Sequence, residues 1–377
     1  MKIVEAISDT NIGGAGVLLL TRLTGGKYAL DTTVLIPKTS LLKKKLQLNK
    51  INYIETNGCR DRSFDILAIF EYIKILKKLS PQVVNCHGCL SCRIAAMLCG
   101  VPVRLYTKHC VFPIKRYQRN FVYRKLYGMV QGILSNHIIA VADAAKKELI
   151  ELGVRDSDVT VIINGANAIK KLSEKEQKRV RCRLNIPEDA IVISIFARLE
   201  GYKGHDDFLY AAKELLKKSK KFRFLIVGGG SRMETLVELS KELNISEYVF
   251  FTGFVDDVSE LFNITDINVN CSYGTETSSL AISEGMSLGI PCVASNFGGN
   301  THMVKNGKNG FIYPARDYIS LANKIVLLSM SKALYERISN NCIDRYSSEF
   351  SSERMTEQTY GLYQHMLSKS RNLYGSF

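Results

Sequence analysis

The chain has 377 residues, of which 46% are hydrophobic and 23% are charged, a composition typical of a folded protein that excludes a disordered one. Its length suits two α/β domains of ordinary size. No apolar run approaches the ~20 residues that span a bilayer, and the acidic, strand-like start Met1-Lys2-Ile3-Val4-Glu5 is not typical of a secretory signal, so we expect a cytoplasmic protein.

The net charge of +15 is concentrated in the first 168 residues. Between Glu71 and Asp143 there is no acidic residue, whereas Lys and Arg recur throughout that stretch. A one-sided field of this kind attracts phosphate groups, whether of nucleic acid, anionic lipid or a phosphorylated substrate. No recognised nucleic-acid-binding module is present and the aromatic residues show no stacking pattern, so nucleic acid is not an expected partner.

Short β-rich runs alternate with helical stretches, a pattern typical of parallel sheets with crossover helices. In the first half the predicted strands are Lys2–Ile7, Asp31–Ile36, Val83–Asn85, Val103–Tyr106, His137–Val141 and Val159–Ile163. In the second half they are Ile191–Phe196, Phe222–Val227, Val249–Thr252, Ile267–Asn270 and Pro291–Ala294. We therefore expect two doubly wound sheets of five or six strands each, with residues 164–185 as the linker.

Ligands of such sheets bind at the carboxyl ends of the strands, and the first half has two candidate segments there. The turn Asn11-Ile12-Gly13-Gly14-Ala15-Gly16 follows the first strand, where glycines let a backbone approach a phosphate or a sugar, or simply form a tight turn. The second strand runs into Pro37-Lys38 without the acid expected of an NAD enzyme. His109 follows another strand as either a structural or a catalytic residue, and His87 has a similar but weaker case.

The ten cysteines are interpreted as mostly reduced thiols. Cys86, Cys89 and Cys92 form a C-x2-C-x2-C run that could suggest a metal site. No fourth ligand at cluster spacing follows, and the three residues fit an apolar strand and a small-residue helix. We therefore expect no metal there.

In the second half, Arg198 and Lys203 follow the strand Ile191–Phe196 and can converge on one diphosphate, Arg as a fork and Lys as a point charge. The alternative is a solvated loop. The run Val227-Gly228-Gly229-Gly230 has the form of a nucleotide-binding turn, which is also how tightly wound βα units connect.

The segment after Ile267–Asn270 is the most specific. Glu276 precedes a predicted helix and Glu284 lies within it, and a carboxylate suits a ribose diol or two sugar hydroxyls. The amides of Ser278, Ser279 and Leu280 would open that helix towards a diphosphate.

Together and in this order, these residues resemble the retaining glycosyltransferases of the GT-B fold, in particular glycosyltransferase family 4 (glycosyl transferases group 1). The resemblance covers nearly the whole chain and includes Asn164-Gly165 and Phe251-Thr252-Gly253-Phe254-Val255. Its most diagnostic part is the pair Glu276 and Glu284 with seven residues between them, running into Gly285-Met286-Ser287-Leu288-Gly289-Ile290-Pro291. The family often has Gly-Phe-Gly where this chain has Thr277-Ser278-Ser279, so we expect a changed sugar preference.

The resemblance implies an α/β fold of two Rossmann-like doubly wound domains facing across a cleft. An acceptor-binding domain would cover residues 1–168 and a donor-binding domain residues 186–354, with a helix at about 355–377 packing back on the first. It also implies a hexosyltransferase that needs no metal or other cofactor. The substrates would be a nucleotide-sugar donor, UDP- or GDP-linked, and a glycan or lipid-linked acceptor in cell-surface polysaccharide biosynthesis.

The resemblance also assigns roles to residues. Glu284 would hold the ribose hydroxyls and Glu276 the donor sugar, while Arg198 and Lys203 would neutralise the leaving diphosphate. The remaining assignments are the Gly14 amide at the reacting centre, His109 on the transferred sugar or its phosphate, and Phe254 and Val255 at the base. Asp156-Ser157-Asp158 is similar to the metal-binding Asp-x-Asp of the other glycosyltransferase fold, but its loop position favours a surface turn.

Residues 104–134 are a candidate segment for binding to a membrane surface. The helix predicted there has one apolar stripe, and its basic residues lie mostly elsewhere on the surface. This fits either an interfacial helix on anionic lipid at the inner face of the membrane or a helix packed on the first sheet. The stripe consists of Phe121, Val122, Leu126, Met129, Val130 and Ile133. Two rival functions also stay open at this point, a nucleotide-sugar epimerase of the same fold and a non-catalytic nucleotide-binding or nucleic-acid-binding protein.

Overall fold

The computed structural model describes residues 1–24, 31–58, 62–112, 114–274 and 276–374, and the chain divides into two compact units. Unit 1 comprises Met1–Gly165 and Ser352–Phe377, and unit 2 comprises Ala166–Ser351.

Unit 1 is a parallel sheet with helices between its strands, in the order β3-β2-β1-β4-β5-β6-β7. The strands are β1 (Ile3–Ile7), β2 (Thr32–Pro37), β3 (Asn52–Thr56), β4 (Val83–His87), β5 (Val103–Lys108), β6 (His137–Ala140) and β7 (Val159–Val161). The helices are α1 (Gly14–Thr24), α2 (Leu42–Leu48), α3 (Ile66–Leu79), α4 (Leu90–Leu98), α5 (Phe121–Leu134) and α6 (Asp143–Glu151). The order reverses between β1 and β4, so the doubly wound prediction is confirmed.

Unit 2 repeats this arrangement with the parallel order β10-β9-β8-β11-β12-β13. Its strands are β8 (Ile191–Phe196), β9 (Phe222–Val227), β10 (Val249–Gly253), β11 (Ile267–Asn270), β12 (Cys292–Ser295) and β13 (Gly310–Tyr313). Its helices are α7 (Glu174–Arg183), α8 (His205–Lys218), α9 (Met233–Glu242), α10 (Ser259–Asn263), α11 (Leu280–Ser287), α12 (Asn300–Met303), α13 (Tyr318–Met330) and α14 (Lys332–Arg345). Here the order reverses between β8 and β11.

Two strands escaped the sequence prediction, and both lie at sheet edges. The first sheet has seven strands rather than five or six because of β3, whose residues are mostly only half-buried. The other is β13, four residues long. An edge strand need not be apolar on both faces, so β3 lacks the continuous hydrophobic run of the central parallel strands. The apolar run of β13 is only four residues long and begins with a glycine, so it gives a weak strand signal.

The cysteine run belongs to the core of unit 1. Cys86, Cys89 and Cys92 are fully buried and pack with Tyr72 and Ala68 of α3. In the ranges described above, no group of three or more His, Cys, Asp or Glu side chains is placed to hold a metal ion. Packing between the sheet and α3 and α4 therefore accounts for these thiols.

The segment expected to be a linker contains a packed helix. A capping box between Ser173 and Glu176 begins α7. Val180 and Ile186 are buried in a core cluster with Val192 and Leu225. Most of residues 164–185 therefore belong to unit 2.

The last helix, α15 (Ser352–Tyr374), belongs to unit 1. Tyr360 and Tyr363 are fully buried, and α15 packs against α1 and β5. The final three residues of the helix predicted at about 355–377 lie outside the described residues. None of the helices that the structure describes is both long enough and apolar enough to cross a membrane.

Candidate functional site

The crevices of both sheets lie where the strand order reverses, at the carboxyl ends of the two central strands. In unit 2 these strands are β8 and β11. Arg198 and Lys203 lie in the loop after β8, and Glu276 lies in the loop after β11. Three of the predicted residues therefore follow the pair of strands that forms the crevice.

Lys203 and Glu276 meet directly. Lys203 Nζ lies 2.7 Å from Glu276 Oε2, and their side chains are only 15% and 8% exposed. The same carboxylate oxygen accepts a hydrogen bond from Ser272 Oγ at 2.8 Å and a longer one from Asn270 Nδ2 at 3.4 Å. These contacts to Oε2 hold the carboxylate of Glu276 in place, whereas Oε1 makes no hydrogen bond to the described residues.

Glycines pack the loops of this crevice against each other. A Cβ on Gly204, whose φ is +72°, would lie 2.3 Å from the carbonyl oxygen of Cys271. A Cβ on Gly228, whose φ is +146°, would lie 2.1 Å from the carbonyl oxygen of Ala197, next to Arg198. The three-glycine turn after β9 therefore supports the Arg198 loop by close backbone contact, in addition to any contact with a ligand.

The turn after β12 supports Glu276 in the same way. The Gly299 amide donates to the carbonyl oxygen of Glu276 at 3.1 Å. A Cβ on Gly299 would lie 1.7 Å from the carbonyl oxygen of Thr277, and one on Gly298 would lie 2.2 Å from that of Glu276. Buried Asn300 adds a hydrogen bond to Asn270 Oδ1 at 3.3 Å. The sequence shows two glycines shortly after the predicted strand Pro291–Ala294, but it does not reveal this supporting role.

Arg198 and Phe254 are the exposed members of the site. Arg198 Nη2 donates to Tyr202 Oη at 3.0 Å, so the guanidinium stays at the surface of the loop. Phe254 is 78% exposed and contacts Gly229. Val255 packs instead against the core of unit 2. Of the two residues predicted at a base pocket, Phe254 is the one that presents a free ring.

The start of α11 is partly occupied by a methionine. The Ser279 amide points at Met303 Sδ at 3.2 Å, and Ser278 Oγ lies 3.9 Å from the same sulfur. A sulfur is a weak acceptor that a stronger one can replace. Lys203, Ser272 and Ser279 line one small cavity together, so this helix start faces the Lys203–Glu276 pair.

Glu284 lies in the second turn of α11. Its side chain is half-buried and its carboxyl group is surrounded by protein, and this burial raises the pKa of Glu284 to about 7. A carboxyl group without a compensating cation destabilises the folded chain when it ionises, which is typical of a group that a ligand satisfies. Among the described residues, no hydrogen bond joins Glu284 to Lys203 or Glu276.

In unit 1, a buried polar network lies behind His109. His87 Nδ1 is 2.7 Å from His109 Nε2, and His87 Nε2 is 2.9 Å from Glu5 Oε2. Glu5 is fully buried, forms an ion pair with Arg22 and accepts from Tyr363 Oη at 2.9 Å. Burial alone would raise the pKa of Glu5, but Arg22, His87 and Tyr363 outweigh it and lower that pKa. Glu5 is therefore a carboxylate in the folded chain.

This network sets the state of His109. Burial, together with His87 and Arg22, holds the pKa of His109 well below its usual value, so the imidazole is neutral. Glu5 is ionised, so it accepts from His87 Nε2–H, and this bond fixes the orientation of the His87 ring. The hydrogen bond between His87 Nδ1 and His109 Nε2 orients the His109 ring in turn. Both histidines and Arg22 line a small cavity of unit 1, together with Asn164.

Two other predicted features are the Gly14 turn and the Asp156-Ser157-Asp158 motif. Gly14 is the first residue of α1, and a Cβ there would meet nothing within 4 Å. Asp156 and Asp158 form surface ion pairs with Lys146 and Arg155, at 2.8 and 2.7 Å. The surface-turn interpretation of that motif agrees with these pairs.

Sequence reasoning missed Glu5, Arg22 and Tyr363. A signal was available for the first two, because Glu5 interrupts the apolar strand Ile3–Ile7 and Arg22 interrupts the apolar helix α1. A charge within an apolar run is expected to find a partner. Tyr363 gave no such signal, since its partners are more than 270 positions away.

Two family profiles match the chain in succession. The family described as Glycosyltransferase Family 4 matches residues 17–169, and the family described as Glycosyl transferases group 1 matches residues 164–345. The UDP-Gal:alpha-D-GlcNAc-diphosphoundecaprenol alpha-1,3-galactosyltransferase of Escherichia coli is 29% identical over 323 residues, which are 81% of each chain. The capsular polysaccharide biosynthesis glycosyltransferase CapM of Staphylococcus aureus is 25% identical, over 81% of this chain and 82% of CapM.

Solved structures share the fold. Anabaena Alr3699/HepE in complex with UDP superposes with a TM-score of 0.84 at 20% identity, over 97% of this chain and 100% of that one. A glycosyltransferase from Rickettsia africae ESF-5 gives 0.83 at 21% identity, over 97% and 98%. These similarities show the two-domain α/β architecture expected from the sequence.

Proposed function

Because the chain is a GT-B glycosyltransferase of family 4, we propose that it transfers the sugar of a nucleotide-sugar donor to a glycan or lipid-linked acceptor, with retention of anomeric configuration. We propose polysaccharide or lipid-linked glycan biosynthesis as the setting, because the E. coli relative is named for a diphosphoundecaprenol-linked substrate and CapM for capsular polysaccharide biosynthesis. The observation that carries the proposal is the Lys203–Glu276 pair at the crevice of a parallel sheet, with Arg198 in the same loop as Lys203.

The donor that we propose is a UDP-sugar, with a GDP-sugar as the alternative. The E. coli relative is named for UDP-Gal, and the Anabaena structure holds UDP. In this chain, exposed Phe254 would contact the base, and Glu284 would accept hydrogen bonds from the ribose hydroxyls. Two hydroxyl donors would stabilise the carboxylate that burial disfavours.

The chemistry that we propose depends on charge at the diphosphate. As the bond between sugar and phosphate breaks, negative charge grows on the leaving group and positive character grows on the sugar. Lys203 and Arg198 would stabilise the leaving group, assisted by the amides of Gly228, Ser278, Ser279 and Leu280. A diphosphate oxygen competes with Met303 Sδ for the Ser279 amide and with Glu276 for Lys203.

Glu276 and unit 1 would position the transferred sugar. Because Lys203 and Ser272 hold Oε2 of Glu276, Oε1 is the atom that would accept a sugar hydroxyl. Neutral His109, oriented by His87, would accept from the sugar or donate to its phosphate, and the Gly14 amide would approach the reacting centre. We assign no protein nucleophile.

We propose that the reaction requires no metal, because Lys203 and Arg198 supply the positive charge that a bound cation would otherwise provide at the diphosphate. We also propose that the enzyme works in the cytoplasm, at the inner face of the membrane, where an acceptor such as the undecaprenol-linked one named for the E. coli relative would lie. An epimerase and a non-catalytic binding protein are not favoured, since the reported relatives are named as transferases.

The test is an assay of nucleotide release with a panel of UDP-, GDP- and ADP-sugars, each with and without a diphospholipid-linked sugar acceptor. The expected result is acceptor-dependent release of UDP and an α-linked product from an α-linked donor, unchanged by EDTA. Conversion of the donor sugar without acceptor would identify an epimerase, and failure to bind any donor would overturn the proposal.

A further inference from the structure

Helix α5 exposes its apolar side, whereas an ordinary surface helix buries it. Its buried residues are Gln131 and Leu134. Its exposed residues include six large apolar ones, namely Phe121 at 74%, Val122 at 70%, Leu126, Met129, Val130 and Ile133. A surface helix of a soluble domain normally turns its apolar stripe towards the core. The stripe of α5 faces the solvent.

Contacts on the other side of α5 hold this orientation. Arg93 of α4 donates to Gln131 Oε1 at 2.7 Å and to Ser135 Oγ at 3.1 Å. A Cβ on Gly128 would lie 2.0 Å from the carbonyl oxygen of Gly153, so the helix approaches that loop as closely as a backbone can. Rotating α5 to bury its stripe would break both contacts, so the exposure is built into the fold.

The surroundings of this stripe are basic. Five exposed Lys and Arg residues lie on α5 or just before it: Lys115, Arg116, Arg119, Arg124 and Lys125. The chain has no acidic residue between Glu71 and Asp143, and Glu71 itself accepts from the Asn57 amide and side chain. Exposed apolar side chains with cations around them are typical of a helix that lies in a membrane interface.

Helix α3 shows the same combination of exposed apolar and basic side chains. Helix α4 packs against both α3 and α5, so the three cover one face of the sheet. The outer side of α3 carries exposed Ile66, Leu67 at 76% and Phe70, followed by exposed Lys74, Lys77 and Lys78. On α3, as on α5, large apolar side chains therefore lie beside cations.

We propose that the outer surface of α3 and α5 binds the surface of a bilayer that contains anionic phospholipid, with Phe121, Leu126 and Met129 entering the acyl boundary. The Lys and Arg residues would contact the lipid phosphates. This proposal rests on the proposed location at the inner face of the membrane, and it adds the contact surface and the lipid charge. It does not depend on which donor is used.

Charge decides between lipid and a second copy of the chain. A symmetric dimer through α5 would place Arg124 and Lys125 of one copy beside those of the other, with no acid of this stretch to compensate. Anionic lipid headgroups supply the opposite charge. Exposed apolar patches of this kind rarely remain uncovered in solution.

The experiment is cosedimentation of the full chain with vesicles of phosphatidylcholine alone or of equal parts phosphatidylcholine and phosphatidylglycerol. Binding is expected only to the anionic vesicles and should weaken at high salt. Arg124→Gln with Lys125→Gln should weaken it about 30-fold, since each cation contributes about fivefold. Leu126→Gln with Met129→Gln should weaken it at least about tenfold without changing the charge.

The matched control is Leu327→Gln with Met330→Gln, an exposed apolar pair at the same spacing on α13, which should leave vesicle binding unchanged. Equal binding of the Leu126 and Met129 variant, equal binding to neutral vesicles, or a dimer that this variant abolishes would overturn the inference. Calorimetry with UDP-sugar should be unaffected by any of these changes. Vesicle binding by a protein that ignores every donor would refute the proposed function alone.

Discussion

The raised pKa of Glu284 predicts a proton that is released when the donor binds. In the free enzyme the pKa is about 7 because the carboxyl group is buried without a compensating charge. If two ribose hydroxyls donate to the carboxylate, the pKa in the complex falls below its value in the free enzyme. Donor binding at a pH near 7 must then expel the proton that Glu284 carried.

The magnitude follows from that pKa. At pH 6.5 a carboxyl group with a pKa of about 7 is about three-quarters protonated, so binding should release about 0.7 proton. Between pH 6 and pH 8 the ionised fraction rises about tenfold, and the apparent Kd should tighten about tenfold. The diphosphate of a UDP-sugar is a diester with no proton to lose in this range, so it adds no signal of its own.

The assay is calorimetric titration of a UDP-sugar in two buffers of different ionisation enthalpy, which counts protons directly. Glu284→Gln should bind more weakly, release no proton and lose the pH dependence. The variant should also gain stability at pH 8. The folded pKa lies above the ordinary value of 4.5, so the stabilisation by a neutral Glu284 is complete below pH 4.5 and is lost as the pH rises through 7. That gain is at most about 3 kcal/mol. Equal proton release by the wild type and by Glu284→Gln would refute this reasoning.

Three further variants test the supporting contacts. Lys203→Met should lower kcat/KM about 100-fold or more, because it removes a cation placed for the leaving diphosphate, and a steady-state assay of nucleotide release measures it. Gly299→Ala should weaken donor binding in calorimetry, because its Cβ would lie 1.7 Å from the Thr277 carbonyl oxygen and would displace the Glu276 loop. Glu5→Gln should lower the free energy of unfolding of unit 1 by about 3–5 kcal/mol in a urea titration, because Arg22 stays buried and uncompensated.

Each of these variants has a control in the same chain. Lys217→Met changes an exposed Lys of α8, Gly132→Ala adds a methyl group in open space on α5, and Tyr363→Phe removes one hydrogen bond to Glu5 but no charge. The first two should behave as wild type, and the third should cost about 1 kcal/mol of unfolding free energy. If a control lost as much activity, donor affinity or stability as the variant that it is paired with, the contact assigned to that variant would be contradicted. Folding lowers the pKa of Glu5. The difference in unfolding free energy between the wild type and Glu5→Gln should therefore vanish as the pH falls through that lowered pKa.

The two sheets could be predicted because their central strands are buried on both faces. Runs such as Ile191–Phe196 and Phe222–Val227 are apolar at all but one position, and both were predicted with their observed bounds. The strand order could not be read from these runs, since it depends on which strands pair. Edge strand β3, in which three of the five residues are polar or charged, gave too weak a signal.

The residues of the candidate site could be predicted in part, but most of their contacts could not. Arg198, Lys203 and Glu276 could be proposed from their positions after strands, since parallel strands bring their carboxyl ends to one edge. The contacts of Asn270 and Ser272 with Glu276, and the close backbone contacts of Gly298 and Gly299, depend on atomic packing that no spacing encodes. The Glu5–His87–His109 chain joins β1, β4 and the residue after β5, and it was equally hidden.

The exposed face of α5 shows a different limit. The sequence predicted the amphipathic stripe, but periodicity identifies a stripe without saying whether it faces the sheet or the solvent. Arg93, Gln131 and Gly128 settle the direction, because their contacts require the less apolar side to face inward.

The central claim, that unit 2 binds the donor through the crevice residues after β8 and β11, is tested most directly by a crystal structure of the enzyme with a non-hydrolysable UDP-sugar. The predicted result is a diphosphate within hydrogen-bond distance of Lys203 Nζ and the Arg198 guanidinium, with the ribose on Glu284 and the sugar on Glu276. A nucleotide bound elsewhere in unit 2 or in unit 1, with Lys203 still paired to Glu276 alone, would contradict it.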